Sequence, residues 1–291
     1  MLFPLFSANF IFLSSIESMS RLWRNILLLI STRTMFFGFL ERYYLATIER
    51  RFSGVDPAGM IKLRSLLIPK TDKIQCALKR FGSENDGGYL LFKDIRLSTD
   101  LLSFGIGDNL DFEKEMAPFV NRILAFDGSI DKLPSDVLGL EFRNKYVGDI
   151  TSINTVCITD IIPEMKSDYL ILKIDIEGAE WRVLNQLSDT HLERFDQIVG
   201  EFHGLSSLKS NQEIMERIHI LERLHAKFTL INSHPNNWSP YRIVKGVPVP
   251  DAVELTFLKN ELFSNFFDPG LATEVLQLNK PCNPLKPEHI I

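Results

Sequence analysis

The run YLILKIDIEGAEW, from Tyr169 to Trp181, constrains the fold more than any other part of the sequence. Five of the six residues from Tyr169 to Ile174 are apolar, which predicts a strand covered on both faces, as in a parallel sheet. Asp175 and Glu177 follow where that strand should end, and Gly178 permits a sharp turn into a segment with helical spacing. Ligands bind at the carboxyl ends of strands in open α/β sheets, so both acids are candidate site residues. Capping of the following helix is the alternative role for them.

Length, charge and cysteine content narrow the class of protein. The 291 residues suit one large domain with additions, or two small domains. A formal net charge of −5 gives no sign of a nucleic-acid-binding surface. Cys76, Cys157 and Cys282 are odd in number and widely spaced, so they predict neither a disulfide framework nor a set of zinc ligands. A reducing, cytoplasmic compartment is the simpler interpretation.

The N-terminal part of the chain is unusually apolar. Residues 1–16 carry no charge, and the apolar segments 26–30 and 35–40 are separated by Arg33. Neither segment reaches the roughly 20 residues of a membrane-spanning helix, and the first residues lack the basic start of a signal peptide. We therefore expect residues 1–78 to form a helical extension, which packs on the rest of the chain or contacts a membrane surface through residues 1–52.

A glycine-rich turn and a second-strand acid suggest a nucleoside cofactor. The segment Asp100–Asn109 predicts a strand that runs into this turn, followed by a helix from Asp111 that Pro118 must shorten or kink. Gly105 and Gly107 would expose backbone N–H groups at a helix N-terminus and remove side chains that would block a cofactor.

The second-strand acid is Asp127, at the end of the predicted strand Ile123–Phe126 and 20 residues after Gly107. An acid in this place can accept hydrogen bonds from both ribose hydroxyls of such a cofactor. The alternative is a simple turn acid before Gly128. The earlier segment Asp86–Gly88 predicts a hairpin turn, or else a backbone loop that lies close against a ligand.

The rest of the chain completes an α/β pattern. Further strands are predicted at Arg143–Gly148, Gln197–His203, Lys227–Asn232 and Ala252–Leu258, and helices at Ser152–Ile162 and Glu213–Leu224. Between the last two strands lies only a loop, Ser233–Asp251, without a helical pattern. Because there is no crossover helix, these two strands should be antiparallel neighbours. The sequence therefore predicts a seven-stranded, mostly parallel sheet with an antiparallel last strand.

These motifs resemble those of the FkbM-like methyltransferases. The matching positions are Asp86–Tyr89, Ser103–Asp108, Ala125–Asp127, Leu172–Trp181 and the pair Glu201 and His203, over about residues 79–260. The resemblance implies a Rossmann-like class I methyltransferase domain over residues 79–262, between the extension 1–78 and a C-terminal tail 263–291. It also implies S-adenosylmethionine as the cofactor.

The resemblance assigns roles to individual residues. It implies methyl transfer by in-line displacement to a hydroxyl of a glycan or small molecule. The residues expected to bind the cofactor are Gly105, Gly107, Asp108, Asp127, Asp149 and Asp175. Ser103 stands where most enzymes of this class have an acid that holds the methionyl amine, so that contact would come from backbone carbonyls, Asp108 or Asp175. Asn109 replaces a third glycine of the loop.

The acceptor side has its own candidates. His203 is the expected general base, since its ordinary pKa lies near neutrality, and Asp175 would orient it or the substrate. The residues expected to contact the substrate are Glu177, Glu201, His234 and Trp238. His203 as a purely structural histidine is one alternative. Another is a divalent-metal site of Asp175, Glu201, His203 and His234, but their spacing is not a recognised ligand pattern, so no metal is assigned.

Two other classes of function remain as alternatives. A nicotinamide-dependent oxidoreductase would use a similar glycine loop, but its fingerprint requires a third glycine where this chain has Leu110. A non-catalytic protein of the same fold, working at a membrane surface, would account for the apolar N-terminus.

Overall fold

A seven-stranded sheet organises the residues that the computed structural model describes, which are 54–69, 77–266 and 278–291. These residues fall within one compact unit, Gly54–Ile291. Of the expected helical extension 1–78, residues 1–53 and 70–76 lie outside the described residues, and these include the membrane-surface segment 1–52 and Cys76. Within the described ranges, no helix combines the length and apolar character that crossing a membrane requires.

The described residues form thirteen strands and seven α-helices. The strands are β1 (Leu78–Gly82), β2 (Gly88–Phe92), β3 (Asp100–Phe104), β4 (Arg122–Phe126), β5 (Leu140–Arg143), β6 (Tyr146–Gly148), β7 (Thr155–Cys157), β8 (Leu170–Ile174), β9 (Phe195–Phe202), β10 (Phe228–Pro235), β11 (Tyr241–Val244), β12 (Val247–Pro250) and β13 (Val253–Lys259). The α-helices are α1 (Pro57–Leu66), α2 (Asp111–Met116), α3 (Ile158–Ile161), α4 (Glu180–Asn185), α5 (Asp189–Leu192), α6 (Asn211–Lys227) and α7 (Asn260–Phe266).

The main sheet has the strand order β10-β13-β9-β8-β3-β4-β5. All neighbours from β9 to β5 are parallel, whereas β13 runs antiparallel to both β9 and β10. Every residue of β3, β8 and β9 is buried, as expected for parallel strands covered on both faces. The predicted seven-stranded, mostly parallel sheet with an antiparallel last strand is confirmed.

Three local predictions hold. Asp86 and Gly87 lie in the turn between β1 and β2, and Gly88 begins β2, which pairs with β1 as an antiparallel hairpin. Helix α2 ends at Met116 and continues as a single 3-10 turn, Ala117–Phe119, because Pro118 cannot donate a backbone hydrogen bond. The last two strands of the main sheet, β10 and β13, are antiparallel neighbours.

The predicted third strand, Arg143–Gly148, is wrong as a single element. Its first residue closes β5, which pairs with β4, and its last three residues form β6, which pairs with β7 in a separate two-stranded sheet. The chain turns sharply between them, where Lys145 N–H donates to the Arg143 carbonyl at 2.8 Å. The predicted helix Ser152–Ile162 is likewise too long, since its first half contains β7.

The segment Ser233–Asp251 is also more ordered than predicted. Strand β10 continues through Pro235, and residues 241–250 fold into the antiparallel hairpin β11–β12. The hairpin turns at Lys245 and Gly246, which both have positive φ angles, 50° and 83°. Such two-residue turns match the twist of a hairpin, and the missing glycine at Lys245 explains why the sequence pattern hides this one.

Two segments close the unit around the sheet. Helix α1 begins at Pro57 behind the cap residue Asp56 and buries Met60 and Leu63, and it packs against the long helix α6. The C-terminal residues 278–291 are fastened by the Asn237 side chain, whose amide donates to the Asn283 carbonyl at 2.8 Å and accepts from the Asn283 N–H at 2.7 Å.

Candidate active site

The glycine turn after β3 lies against the acidic turn after β8. The Asp175 N–H donates to the Phe104 carbonyl at 3.0 Å, and a Cβ added at Gly105 would lie 1.6 Å from the Asp175 carbonyl oxygen. By contrast, a Cβ at Gly107 would meet no protein atom within 4 Å. The two glycines therefore have different structural roles. Gly105 permits close packing of two backbones, and Gly107 leaves open space beside the turn.

Alanine substitutions should separate these two roles. We expect Gly105→Ala to destabilise the fold by several kcal/mol, because its Cβ overlaps backbone and its φ is +75°. Gly107→Ala, at φ +53°, should cost only about 1–2 kcal/mol while its methyl group enters the cavity beside it. Urea unfolding of both variants measures the difference. Equal destabilisation by the two substitutions would contradict this assignment.

Asp127 holds the glycine turn from the end of β4. One carboxylate oxygen accepts the Gly107 N–H at 2.8 Å, and the other accepts the N–H and hydroxyl of Ser129 at 2.7 and 2.6 Å. Burial raises the pKa of Asp127, but these hydrogen bonds outweigh it and leave the pKa below its usual value. Asp127 is therefore a carboxylate at neutral pH, and it lines a cavity on either side.

Two adjoining cavities lie over the carboxyl ends of β3, β4 and β8. Their volumes are about 390 and 430 Å³. The residues that line both of them are Gly105, Asp127, Ser129, Asp175 and Glu177. The cavities thus form one cleft with Asp127 at its middle, where ligands of open α/β sheets bind.

The two ends of the cleft differ in chemistry. The first end is walled by Phe126, Tyr146 and Val147, with Asp149 at its rim, where Arg182 Nη1 lies 3.6 Å from Asp149 Oδ1. An apolar and aromatic wall with one carboxylate suits a flat base that carries an amino group. The second end is polar and contains Asp86, Asp108 and Glu113 together with Lys173.

Buried polar side chains shape the second end. The Lys173 ammonium group donates to the Gly105 carbonyl and, at 3.4 Å, to the Phe104 carbonyl. The Ser103 hydroxyl donates to Glu113 Oε1 at 2.5 Å. Glu113 is buried and lines the cavity. A carboxylate from α2 therefore stands beside Ser103, the position where the first acid of the glycine loop is missing.

The turn after β8 brings two acids, Asp175 and Glu177, to the cleft. The Tyr89 hydroxyl donates to Asp175 Oδ2 at 2.8 Å, so β2 orients that carboxylate. Glu177 has a φ of 54° although it is not glycine, a strained conformation of the kind found at functional sites. Its side chain is 89% exposed, so no burial of the side chain compensates for this strain. The conformation places the carboxylate over the cleft.

Glu180 is the acid that holds this turn together. It is fully buried at the start of α4. Its Oε1 accepts the N–H groups of Ile176 and Gly178 at 2.9 and 3.0 Å and lies 3.2 Å from His203 Nδ1. Glu180 therefore fixes the acidic turn and the imidazole of His203 with a single carboxylate.

His203 faces two further carboxylates with its other nitrogen. Its Nε2 lies 3.4 Å from Glu201 Oε1 and 3.7 Å from Glu177 Oε2. Burial by itself lowers the pKa of His203. The hydrogen bond to Glu180 and the charges of Glu201, Glu180 and Asp175 outweigh this effect and raise the pKa to about 9. For Glu201, burial has the opposite effect and raises the pKa, and the charge of Asp175 raises it further. The two groups affect each other: the charge of Glu201 raises the pKa of His203, and the charge of His203 lowers that of Glu201.

The structure brings most of the predicted site residues together, but not all. The cleft is lined by Gly105, Gly107, Asp108, Asp127, Asp149, Asp175 and Glu177, and His203 and Glu201 adjoin it through Glu177. His234 and Trp238 line neither cavity. His234 is buried between Glu254 and Glu288, and Trp238 is 55% exposed, with its indole N–H on the Cys282 carbonyl.

Four side chains that shape the cleft are missing from the sequence predictions. They are Tyr89, Glu113, Lys173 and Glu180. Each lies inside an apolar strand or at the start of a helix, where a single polar residue forms no recognisable sequence motif. Lys173 and Glu180 do lie within the Tyr169–Trp181 run. Because an unpaired charge is rarely buried, a charged residue in this apolar run predicts a specific partner, and this signal could have identified both.

The comparisons with known proteins agree with this geometry. Residues 84–227 match the family model described as Methyltransferase FkbM domain, a range that runs from the turn before β2 to the end of α6. No curated protein matches the sequence.

Several solved structures have a similar fold, and three of them follow. They are a fibrillarin–Nop5p complex (11% identity, 57% of this chain and 74% of that chain, TM-score 0.35), an rRNA methylase from Streptococcus thermophilus (11%, 57% and 89%, 0.34) and a dimethyladenosine transferase from Plasmodium falciparum (13%, 71% and 62%, 0.34). These likenesses are too weak to bear on the substrate.

The sheet order, the glycine turn, the acids at the ends of β4 and β8 and the family match all fit the resemblance seen in the sequence. The family match covers 144 of the 291 residues and confirms, over residues 84–227, the resemblance to the FkbM-like S-adenosylmethionine-dependent methyltransferases.

Proposed function

We propose that this chain transfers a methyl group from S-adenosylmethionine to a hydroxyl group of a glycan or small molecule. The observation that carries the proposal is the cleft with Asp127 at its middle, an apolar end and a polar end. S-adenosylmethionine has the same order of groups, with a base, a ribose and a charged amino acid. The methyl group arrives on a sulfonium, which is already a strong electrophile, so the protein has to position the acceptor and remove its proton.

The residues fit each part of the cofactor. Asp127 would accept hydrogen bonds from the ribose, and Asp149 from the amino group of the base, between the walls of Phe126 and Val147. Glu113 would face the ammonium group of the methionyl part and Lys173 its carboxylate. The carboxylates of Asp175 and Glu177 would lie near the positive charge, where opposite charges are favourable.

The acceptor side supports a neutral, hydroxylated substrate. The groups next to the cleft are mainly hydrogen-bond acceptors, namely Asp86, Asp175, Glu177 and Glu201, and they would accept from several hydroxyls. His203 would take the proton of the reacting hydroxyl with Nε2, while Glu180 holds Nδ1. We do not propose a nucleic-acid acceptor, because phosphates would be repelled by the carboxylates of Asp175 and Glu177 and by the net charge of −5.

Calorimetric titration of the purified chain with S-adenosylmethionine and, separately, with NAD tests the proposal. We expect micromolar affinity for S-adenosylmethionine alone. Asp127→Ala should weaken it by about 10- to 100-fold, the effect of losing charge-assisted hydrogen bonds of about 1.5–3 kcal/mol. Asp136→Ala, at an exposed acid outside the cleft, is the matched control and should bind normally.

Two results would contradict the proposal. Binding of NAD in place of S-adenosylmethionine would favour an oxidoreductase, and binding of neither by folded protein would favour a non-catalytic role. With cofactor binding established, a methyl-labelled donor and a panel of hydroxylated sugars and small molecules identify the acceptor. Incorporation only into amines would overturn the choice of a hydroxyl.

A further inference from the structure

A second cluster of metal-binding side chains lies outside the cleft, where the C-terminal segment meets the sheet. His234 on β10, Glu254 on β13 and Cys282 are all buried. Glu254 Oε2 lies 3.1 Å from His234 Nδ1, and Glu254 Oε1 lies 3.3 Å from Cys282 Sγ. One ligand atom from each residue lies within 4.8 Å of the other two, so the three could surround a single ion.

The strand register explains the first two positions. His234 and Glu254 are directly paired residues of β10 and β13, and Glu254 is directly paired with Glu201 of β9. Directly paired residues share a face of the sheet, which gives a buried row of imidazole, carboxylate and carboxylate. Like charges in paired positions are unfavourable, and buried charges are normally paired or bound to metal. A cation beside Glu254 would offset both costs.

The other nitrogen of His234 provides an independent sign of a metal ligand. Its Nε2 lies 3.3 Å from Glu288 Oε2. Histidines that bind a metal through one nitrogen usually donate the other N–H to a carboxylate or carbonyl, which fixes the ring and its tautomer. Here Nδ1 faces Glu254, and Nε2 is held by Glu288 from the C-terminal segment.

We propose that His234 Nδ1, the Glu254 carboxylate and Cys282 Sγ bind a divalent ion of the zinc type. Nitrogen, oxygen and thiolate sulfur together are ligands of zinc, whereas magnesium and calcium prefer oxygen alone. Binding requires the Cys282 thiol to lose its proton to solvent. The ion ties residues 278–291 to β10 and β13.

Cobalt titration of the chelator-treated full chain tests the site. We expect one equivalent of Co²⁺ to bind with the near-ultraviolet absorption of a cobalt–thiolate bond. The double variant Cys76→Ser/Cys157→Ser, which retains Cys282 as its sole thiol, should keep this absorption, and Cys282→Ser should lose it. Glu288→Gln should weaken the affinity by about 10-fold or more.

X-ray absorption of the zinc-loaded wild-type chain makes the test independent of any variant that fails to fold. We expect one sulfur at about 2.3 Å and lighter ligands at about 2.0–2.2 Å. No retained metal, a spectrum without sulfur, or thiolate absorption that persists in Cys282→Ser or disappears in the double variant would overturn the proposal. None of these readouts depends on methyl transfer, so the proposed function stands or falls separately.

Discussion

Replacing His203 with glutamine is expected to lower the rate of methyl transfer by about 10²- to 10⁴-fold, the usual contribution of a general base. Binding of S-adenosylmethionine should change little, because His203 does not line the cofactor cleft. The reason lies in the two ring nitrogens. Nδ1 is held by Glu180, and Nε2 remains on the side of Glu177 and Glu201, next to the cleft. Single-turnover assays with saturating cofactor measure the rate.

The pH dependence of the rate should report the same group. A base must be neutral, and the pKa of His203 is raised to about 9 by Glu180 and Glu201 against the lowering effect of burial. The rate should therefore rise roughly tenfold per pH unit below that pKa. The positive charge of the bound sulfonium lowers the pKa of a nearby imidazolium, so the limb should fall at or below pH 9. In His203→Gln the limb should be absent.

Glu201→Gln is the matched test of this interpretation. The amide keeps an oxygen that can accept from Asn236, as Glu201 Oε1 does at 2.7 Å, but it removes a negative charge that raises the pKa of His203. We expect the limb of the profile to move to lower pH. A His203→Gln variant with a normal rate and an unchanged pH profile would show that His203 is structural.

The sequence predicts the fold well where local pattern and tertiary environment agree. The apolar run before Asp175 becomes β8, in which every residue is buried. The separation of the last two strands by a segment without a helix correctly indicates antiparallel pairing. The sequence-based prediction fails between Arg143 and Gly148, where the predicted single strand is divided between β5 and β6, because nothing in the pattern shows which neighbour each half will pair with.

The candidate site divides in a similar way. Acids at strand ends, such as Asp127 and Asp175, can be predicted from the sequence, because an apolar strand, an acid and a nearby glycine follow one another there. Glu180 and Lys173 are hidden, because their roles come from contacts across the sheet. The His234, Glu254 and Cys282 cluster is hidden for a related reason. Its members are brought together by strand register and by the return of the C-terminal segment, and no spacing in the sequence encodes this.

Glu180→Ala is expected to destabilise the fold by about 3–5 kcal/mol, the cost of removing one member of a buried ion pair. The carboxylate has no exposed surface, and its loss leaves the N–H groups of Ile176 and Gly178 and the His203 ring without their acceptor. Urea unfolding at pH 7 measures the effect. The matched control is Glu222→Ala, which removes the half-exposed partner of Lys62 and should cost less than about 1 kcal/mol.

The dependence on pH follows from the direction of each shift. The pKa of Glu180 is lowered from 4.5, since His203 and two backbone N–H groups outweigh the effect of burial; its stabilisation is thus present above pH 4.5 and lost as the pH falls below it. The pKa of His203 is raised from 6.5 to about 9, so the stabilisation from its charge is complete below pH 6.5 and lost as the pH rises through 9.

The difference in unfolding free energy between the wild type and Glu180→Gln should therefore be largest between about pH 4.5 and 6.5 and shrink on both sides. A difference that does not vary with pH would mean that Glu180 acts only as a neutral hydrogen-bond acceptor. In that case the turn that carries Asp175 and Glu177 would not depend on the charge of His203. Coupling of that charge to the turn is what links the stability of the site to its chemistry.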